Sequence, residues 1–116
     1  MTHNARLGQR IALRGAAMLT LLDETRLEAE TVDLSLGGIC LHVGTPVRLA
    51  QLCAVRFDVA EEGARRKILA MGQVVYCDAD APERFKAGIK FIKLDPQDVA
   101  VIAGLLRQQG AALPNT

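Results

Sequence analysis

The chain predicts an all-β domain, a small antiparallel barrel or sandwich of about six strands, followed by one C-terminal α-helix. Three observations carry this. From Ile11 to Leu94, short apolar runs alternate with turn signals at regular spacing. Within several runs, apolar and polar residues alternate with the period of two that marks a half-buried strand. Beyond Leu94 the apolar spacing becomes helical, directly behind Asp95-Pro96.

Ile11 to Leu22 reads as the first strand, and Asp23-Glu24 as a hairpin turn. Thr25 to Val32 alternates, with Leu27, Ala29 and Thr31 on one face and Arg26, Glu28 and Glu30 on the other. Gly37-Gly38 breaks the chain before a strand from Ile39 to Val43, and Gly44-Thr45-Pro46 is the next turn. Leu52 to Val59 is a strand, with Val55, Phe57 and Val59 in alternation, closed by Glu61-Glu62-Gly63. Lys67 to Tyr76 is another, followed by a polar turn from Asp78 to Pro82. Phe85 to Leu94 is the last. Asp95 then reads as an N-cap, with Pro96 at the first helical position and Asp98 in the first turn. Val99, Ile102, Ala103, Leu105 and Leu106 follow helical spacing over about residues 96–109, and Gly110 ends the helix. The expected organisation is a flexible arm over residues 1–10, a barrel with its helix over 11–110, and a loose tail over 111–116. The helix is expected to cover an open end or edge of the barrel.

Composition narrows the function classes. The chain has 116 residues, the size of one domain, and 50% are hydrophobic, enough for one core. Tyr76 and three phenylalanines are the only aromatics, so the core is aliphatic, with Met18 and Met71 assigned to it. Stacking platforms for single-stranded nucleic acid are lacking, and the net charge of +1 gives no polyanion signature, so neither DNA nor RNA is an expected partner. Cys40, Cys53 and Cys77 lack metal or disulfide spacing and read as free thiols in apolar runs. His3 and His42 stand alone, without metal-ligand neighbours. The residues offer no nucleophile–base–acid set, metal cluster or phosphate loop, so neither catalysis nor a cofactor is expected. No run reaches the roughly 18 apolar residues of a membrane span, and no signal-peptide pattern opens the chain. A cytoplasmic location without membrane insertion is the expectation.

The charge distribution is more informative than its sum. Residues 1–22 carry Arg6, Arg10 and Arg14 and no acid. Arg6-Leu7-Gly8-Gln9-Arg10 is an R-x-x-x-R, a pattern that is weak alone, and Arg10 with Arg14 forms a second one. Asp33-Leu34-Ser35-Leu36-Gly37-Gly38 is a D-x-S-x-x-G, much rarer by chance. By itself it also reads as an Asx- or ST-turn between strands. The two motifs in this order, about twenty residues apart, are far more specific than either. Arg65-Arg66-Lys67 reads as a solvated turn and strand edge.

This pairing resembles the PilZ domain family, whose members bind cyclic di-GMP. Arg10 runs into Ile11-Ala12-Leu13, similar to the family's entry into its first strand, which favours Arg6 with Arg10 over Arg10 with Arg14. Asp33 to Gly38, continuing into Ile39-Cys40-Leu41, is similar to the second motif and its strand. Gly72-Gln73-Val74-Val75 and Gly88-Ile89-Lys90-Phe91 look like later strands of the family. The resemblance implies a six-stranded antiparallel barrel with a C-terminal helix. It also implies a cyclic di-GMP receptor or adaptor using Arg6, Arg10, Asp33, Ser35, Gly37 and Gly38. The partner it implies is a separate protein in a motility, polysaccharide or pilus system. The alternative is an interaction module of the same fold that binds no nucleotide; such members lack the arginines or the D-x-S-x-x-G.

The chemistry suits the ligand. A guanidinium clamps a phosphodiester, makes a bidentate pair with guanine O6 and N7, or stacks on a base. Asp33 either accepts protons from guanine N1–H and its exocyclic amine or holds an arginine in place. Ser35 offers a hydroxyl, and Gly37 and Gly38 let the backbone approach closely. Residues 4–10 are expected to be mobile without ligand and to wrap over it. Ala5, ahead of the first motif, leaves open whether one ligand or a stacked pair binds.

Overall fold

The computed structural model describes the backbone of residues 9–112 and the side chains of residues 9–109. It contains β1 (Ile11–Ala12), β2 (Ala16–Leu21), β3 (Arg26–Leu34), β4 (Gly38–Val43), β5 (Leu52–Glu61), β6 (Ala64–Ala81), β7 (Arg84–Leu94) and α1 (Pro96–Ala112). All strand pairs are antiparallel, in the order β1-β3-β2-β5-β6-β7-β4, and β4 pairs back onto β3. That last pairing closes six strands into a barrel, with β1 pairing to Asp33 and Leu34 on the same edge of β3 that β2 occupies further along. Closure removes most of the free sheet edge that invites aggregation, although β6 outruns its neighbours: Ala64 to Leu69 pair only with β5, and Tyr76 to Ala81 only with β7.

Alternation fills the interior. Leu19, Leu41, Val55, Phe57, Ile68, Val74 and Ile89 all point inward and are at most 2% exposed. Phe57 and Phe91 stack in parallel with centroids 6.4 Å apart. Ile102 and Leu106 of α1 belong to the same buried cluster as the barrel interior, which sets the helix over an open end. The Asp95 carboxylate accepts from the Gln97 N–H at 2.8 Å, as its N-cap reading requires.

The tight turns follow their residues. Glu62 and Gly63 have φ of 51° and 79°, the positive pair that a two-residue hairpin between Glu61 and Ala64 demands. At Asp23-Glu24, the Asp23 carboxylate accepts from the Thr25 N–H at 3.0 Å; hydrogen bonding to the Thr25 side chain first, and then to this N–H, lowers its pKa.

Several boundaries differ from the sequence reading. Ile11 to Leu22 is two strands, not one. The ladder is interrupted at residues 13–15, where the Leu13 N–H donates to the Val32 carbonyl at 3.0 Å, the Thr31 N–H to the Gly15 carbonyl at 2.9 Å, and the Thr31 hydroxyl adds a bond to the Leu13 carbonyl at 2.8 Å. The strand expected over Lys67 to Tyr76 runs from Ala64 to Ala81, so Asp78 to Ala81 is strand and the turn is Pro82-Glu83 alone. The helix continues past Gly110 to Ala112. Met18 is only half-buried, and Met71 is 46% exposed on the outer face of β6 rather than in the core.

Candidate ligand-binding site

Four register shifts interrupt the barrel ladders, and two of them shape one patch of its outer wall. In β3, Thr31 pairs with Leu41 but Asp33 pairs with Cys40, so Val32 is an extra residue. Strict alternation from Ala29 and Thr31 would drive Asp33 into the core; the bulge turns it outward. In β6, Val74 pairs with Ile89 and Tyr76 with Gly88, so Val75 is extra and Tyr76 is likewise turned out. The result is one cross-strand row, Asp33–Cys40–Gly88–Tyr76, on the outer face of β3, β4, β7 and β6.

Each member depends on the next. A Cβ on Gly88 would lie 2.1 Å from Tyr76 Cε2, so only glycine lets the ring lie flat across β7. The Tyr76 hydroxyl reaches Cys40 Sγ at 3.3 Å. Burial, and then this bond, push the phenol up to about 12. Burial also raises the Cys40 thiol. Both groups are neutral at physiological pH and form a flat, weakly polar wall.

The D-x-S-x-x-G segment forms a turn beside that wall. Ser35 is 4% exposed, and its Oγ accepts from the N–H groups of Gly37 at 3.2 Å and Gly38 at 3.1 Å. This is the ST-turn that residue chemistry allowed, so the hydroxyl is committed to the loop. Gly38 pairs with Lys90, and a Cβ there would sit 2.1 Å from the Ile89 carbonyl oxygen. Glycine is required by close backbone packing rather than by an unusual φ.

At the other side, Arg10 Nη1 donates to Asp33 Oδ1 at 2.7 Å, with the arginine side chain 49% exposed. The bond to Asp33 raises the guanidinium pKa further and aims its remaining donors. Gln9 Nε2 donates to the Leu106 carbonyl at 3.3 Å, so the segment entering β1 also touches α1. Arg10, Ser35, Gly37, Gly38, Tyr76 and Lys90 all line one open cleft of about 350 Å³. That lies within the roughly 300–1,000 Å³ of small-molecule sites.

Sequence and structure can be compared residue by residue. Arg10, Ser35, Gly37 and Gly38 come together in the cleft, and Asp33 holds Arg10 at its margin. Arg6 lies outside the described residues. Arg14 lines a different groove, with Glu30 and His42. Arg66 is not a solvated edge residue: its Nη2 donates to Asp98 of α1 at 3.0 Å, away from the cleft. His42 is not idle either, since its ring spans Asp80 at 2.8 Å and Arg84 at 3.1 Å. Tyr76, Gly88 and Lys90 were not anticipated as site residues. Tyr76 sits in the apolar run Val74 to Cys77, where a one-residue bulge leaves no local trace.

Comparison with known proteins follows this geometry. The model of the PilZ domain family matches residues 4–108. Among solved structures, the inhibitor of motility MotI/DgrA from Bacillus subtilis superposes with a TM-score of 0.76 at 18% identity, over 89% of this chain and 50% of that one. The chain thus spans about half the length of that protein. The PilZ domain of CeSA from a cellulose-synthesizing bacterium superposes with a TM-score of 0.55 at 18% identity, over 87% of this chain and 97% of that one. No curated protein matches the sequence. With the family model spanning nearly all of the barrel and its helix, the chain belongs to the PilZ domain family.

Proposed function

We propose that the protein is a cyclic di-GMP receptor that signals as an adaptor to a separate protein. The observation that carries this is the convergence of Arg10, the Ser35–Gly38 turn, Tyr76 and Lys90 on one cleft, beside a second arginine four residues upstream. Each group matches a feature of the ligand. Arg10, held by Asp33 but half exposed, keeps donors free for a phosphodiester or the Hoogsteen edge of guanine. The flat face of Tyr76 over Gly88 offers a stacking surface for one base. Lys90 adds a point charge at the rim.

Asp33 has two roles open to it, and the ion pair with Arg10 supports the positioning role. The cleft is small and open for a cyclic dinucleotide, so Arg6 and its neighbours complete it by ordering over the bound ligand. Charge-assisted hydrogen bonds of about 1.5–3 kcal/mol each offset much of that ordering cost. Moving this segment alters the surface beside Gln9 and α1, which is how binding is read by a partner. A motility system is one setting, since the Bacillus subtilis relative is named as an inhibitor of motility. Polysaccharide and pilus systems are others that the family resemblance suggests.

Calorimetric titration of cyclic di-GMP tests the reading. Saturable binding is expected, weakened roughly 10- to 100-fold by Arg6→Ala or Arg10→Ala, the loss of one or two charge-assisted bonds. Folded protein that takes up no cyclic di-GMP would refute it. Amide exchange across residues 4–10 is expected to slow on saturation; unchanged exchange there would remove the ordering step.

A further inference from the structure

The bulges that build the cleft leave a second feature on the next stretch of wall. Leu69, Met71 and Val75 project outward along β6 and are 53%, 46% and 49% exposed. Ile92, the extra residue of a third bulge opposite Met71 and Gly72, is 57% exposed beside them. Apolar side chains in a contiguous outward strip mark an interaction surface.

The charged side chains paired directly across from this strip are all basic. Arg56 pairs across from Leu69, Lys93 from Met71 and Lys90 from Gln73, and all three are exposed. Among the described residues, none of the three meets a carboxylate. The nearest acid on the outward face of β5 is Asp58, already 3.6 Å from Arg65.

From this we infer that the β5–β6–β7 face docks an acidic amphipathic segment of a protein partner, apolar residues on the strip and carboxylates on Arg56, Lys90 and Lys93. A second copy fits poorly, because a self-complementary contact would set cation against cation. Strand addition fits poorly along Ala70 to Gln73, where β6 already pairs with β5 on one side and β7 on the other. A flat sheet face presents no protruding apolar loop for insertion into lipid. Val75 and Lys90 also line the ligand cleft, so a segment seated here touches its rim. The inference deepens the adaptor reading, on which it rests only for coupling to ligand.

Site-specific photo-crosslinking in cells that naturally make the protein tests it. A benzophenone amino acid replaces Leu69 or Ile92, with Glu28 as control on β3, across the barrel. The expected result is one protein captured from both positions and not from Glu28. Its crosslinked segment, mapped by mass spectrometry, carries apolar residues interleaved with Asp or Glu. Arg56→Glu with Lys93→Glu lowers the yield at least tenfold. Capture of lipid, of a second copy, of this chain's own termini or of a segment without acids overturns the inference. So does yield unchanged by charge reversal, or no capture. The doubly substituted Leu69→Glu, Ile92→Glu protein, titrated with cyclic di-GMP, should bind within twofold of the unaltered chain. A ligand that fails to bind either protein counts against the receptor reading and leaves the crosslinking result to stand alone.

Discussion

Arg10 is the residue on which most of the account rests, and its environment defines how it should fail. Asp33 fixes one side of the guanidinium at 2.7 Å and leaves the rest of the fork half exposed. Arg10→Lys keeps the charge but loses planar, bidentate geometry, so calorimetry should show it closer to Arg10→Ala than to the unaltered protein. Tyr76 separates two contributions. Tyr76→Phe removes only the contact to Cys40 and should bind cyclic di-GMP within about threefold of normal. Tyr76→Ala removes the stacking face and should cost about 1–3 kcal/mol, or roughly 5- to 150-fold. Equal effects of the two substitutions would assign the role to the hydroxyl rather than the ring. At this scale the sequence was legible where chemistry is local. Arg10, Ser35, Gly37 and Gly38, singled out by their motifs, lie together along one cleft. Tyr76 and Lys90 were hidden because they enter from strands far along the chain.

The strands themselves were readable in order but not in phase. Alternation revealed which runs are strands, because half-burial on a barrel wall imposes a period of two. It could not reveal where the phase slips. Val32 and Val75 are ordinary strand residues, yet each is an inserted residue that turns its neighbour to the opposite face. The signal at Asp33 was a conflict: uninterrupted alternation would have buried a carboxylate. No such conflict exists at Tyr76, which suits either face. The break at residues 13–15 was missed for a similar reason: Leu13 and Ala16 fit a strand, and backbone bonds to Val32 and Thr31 persist across the break, joined by the Thr31 hydroxyl. Two variants test the geometry of these elements. Gly88→Ala should lift the Tyr76 ring and cost about 1–3 kcal/mol of stability through overpacking, read by denaturant unfolding, with weakened ligand binding. Deleting Val32 should send Asp33 inward and abolish binding even where the chain still folds.

The barrel and helix are held by burial of Ile102 and Leu106 and, among the described residues, by an ion pair at the interface. Arg66 donates through Nε and Nη2 to Asp98, across 32 residues of sequence, a separation at which no spacing rule operates. Arg66→Ala leaves the buried Asp98 without this partner. It should lower stability by about 1–3 kcal/mol and Tm by several degrees, with cyclic di-GMP affinity little changed. The protein should also weaken in alkali. Burial raises Cys53 from 9.0 to about 11, and Tyr76 rises from 10.0 to about 12. A raised folded-state value means that the folded form holds the proton more tightly. The associated stability is full below pH 9 and is lost as pH rises through 11 and then 12. Urea midpoints measured from pH 7 to 11 should fall from about pH 9 upward, and Cys53→Ser should reduce that early fall without abolishing it, since Cys40 is also raised from 9.0.

The location of the ligand is the central claim, and amide and methyl NMR shifts on titration with cyclic di-GMP test it most directly. A single footprint is expected over Arg10, Asp33 to Gly38, Tyr76, Gly88 and Lys90, while the His42–Arg84 groove stays unchanged. A footprint centred on that groove, or none at saturating ligand, would contradict it.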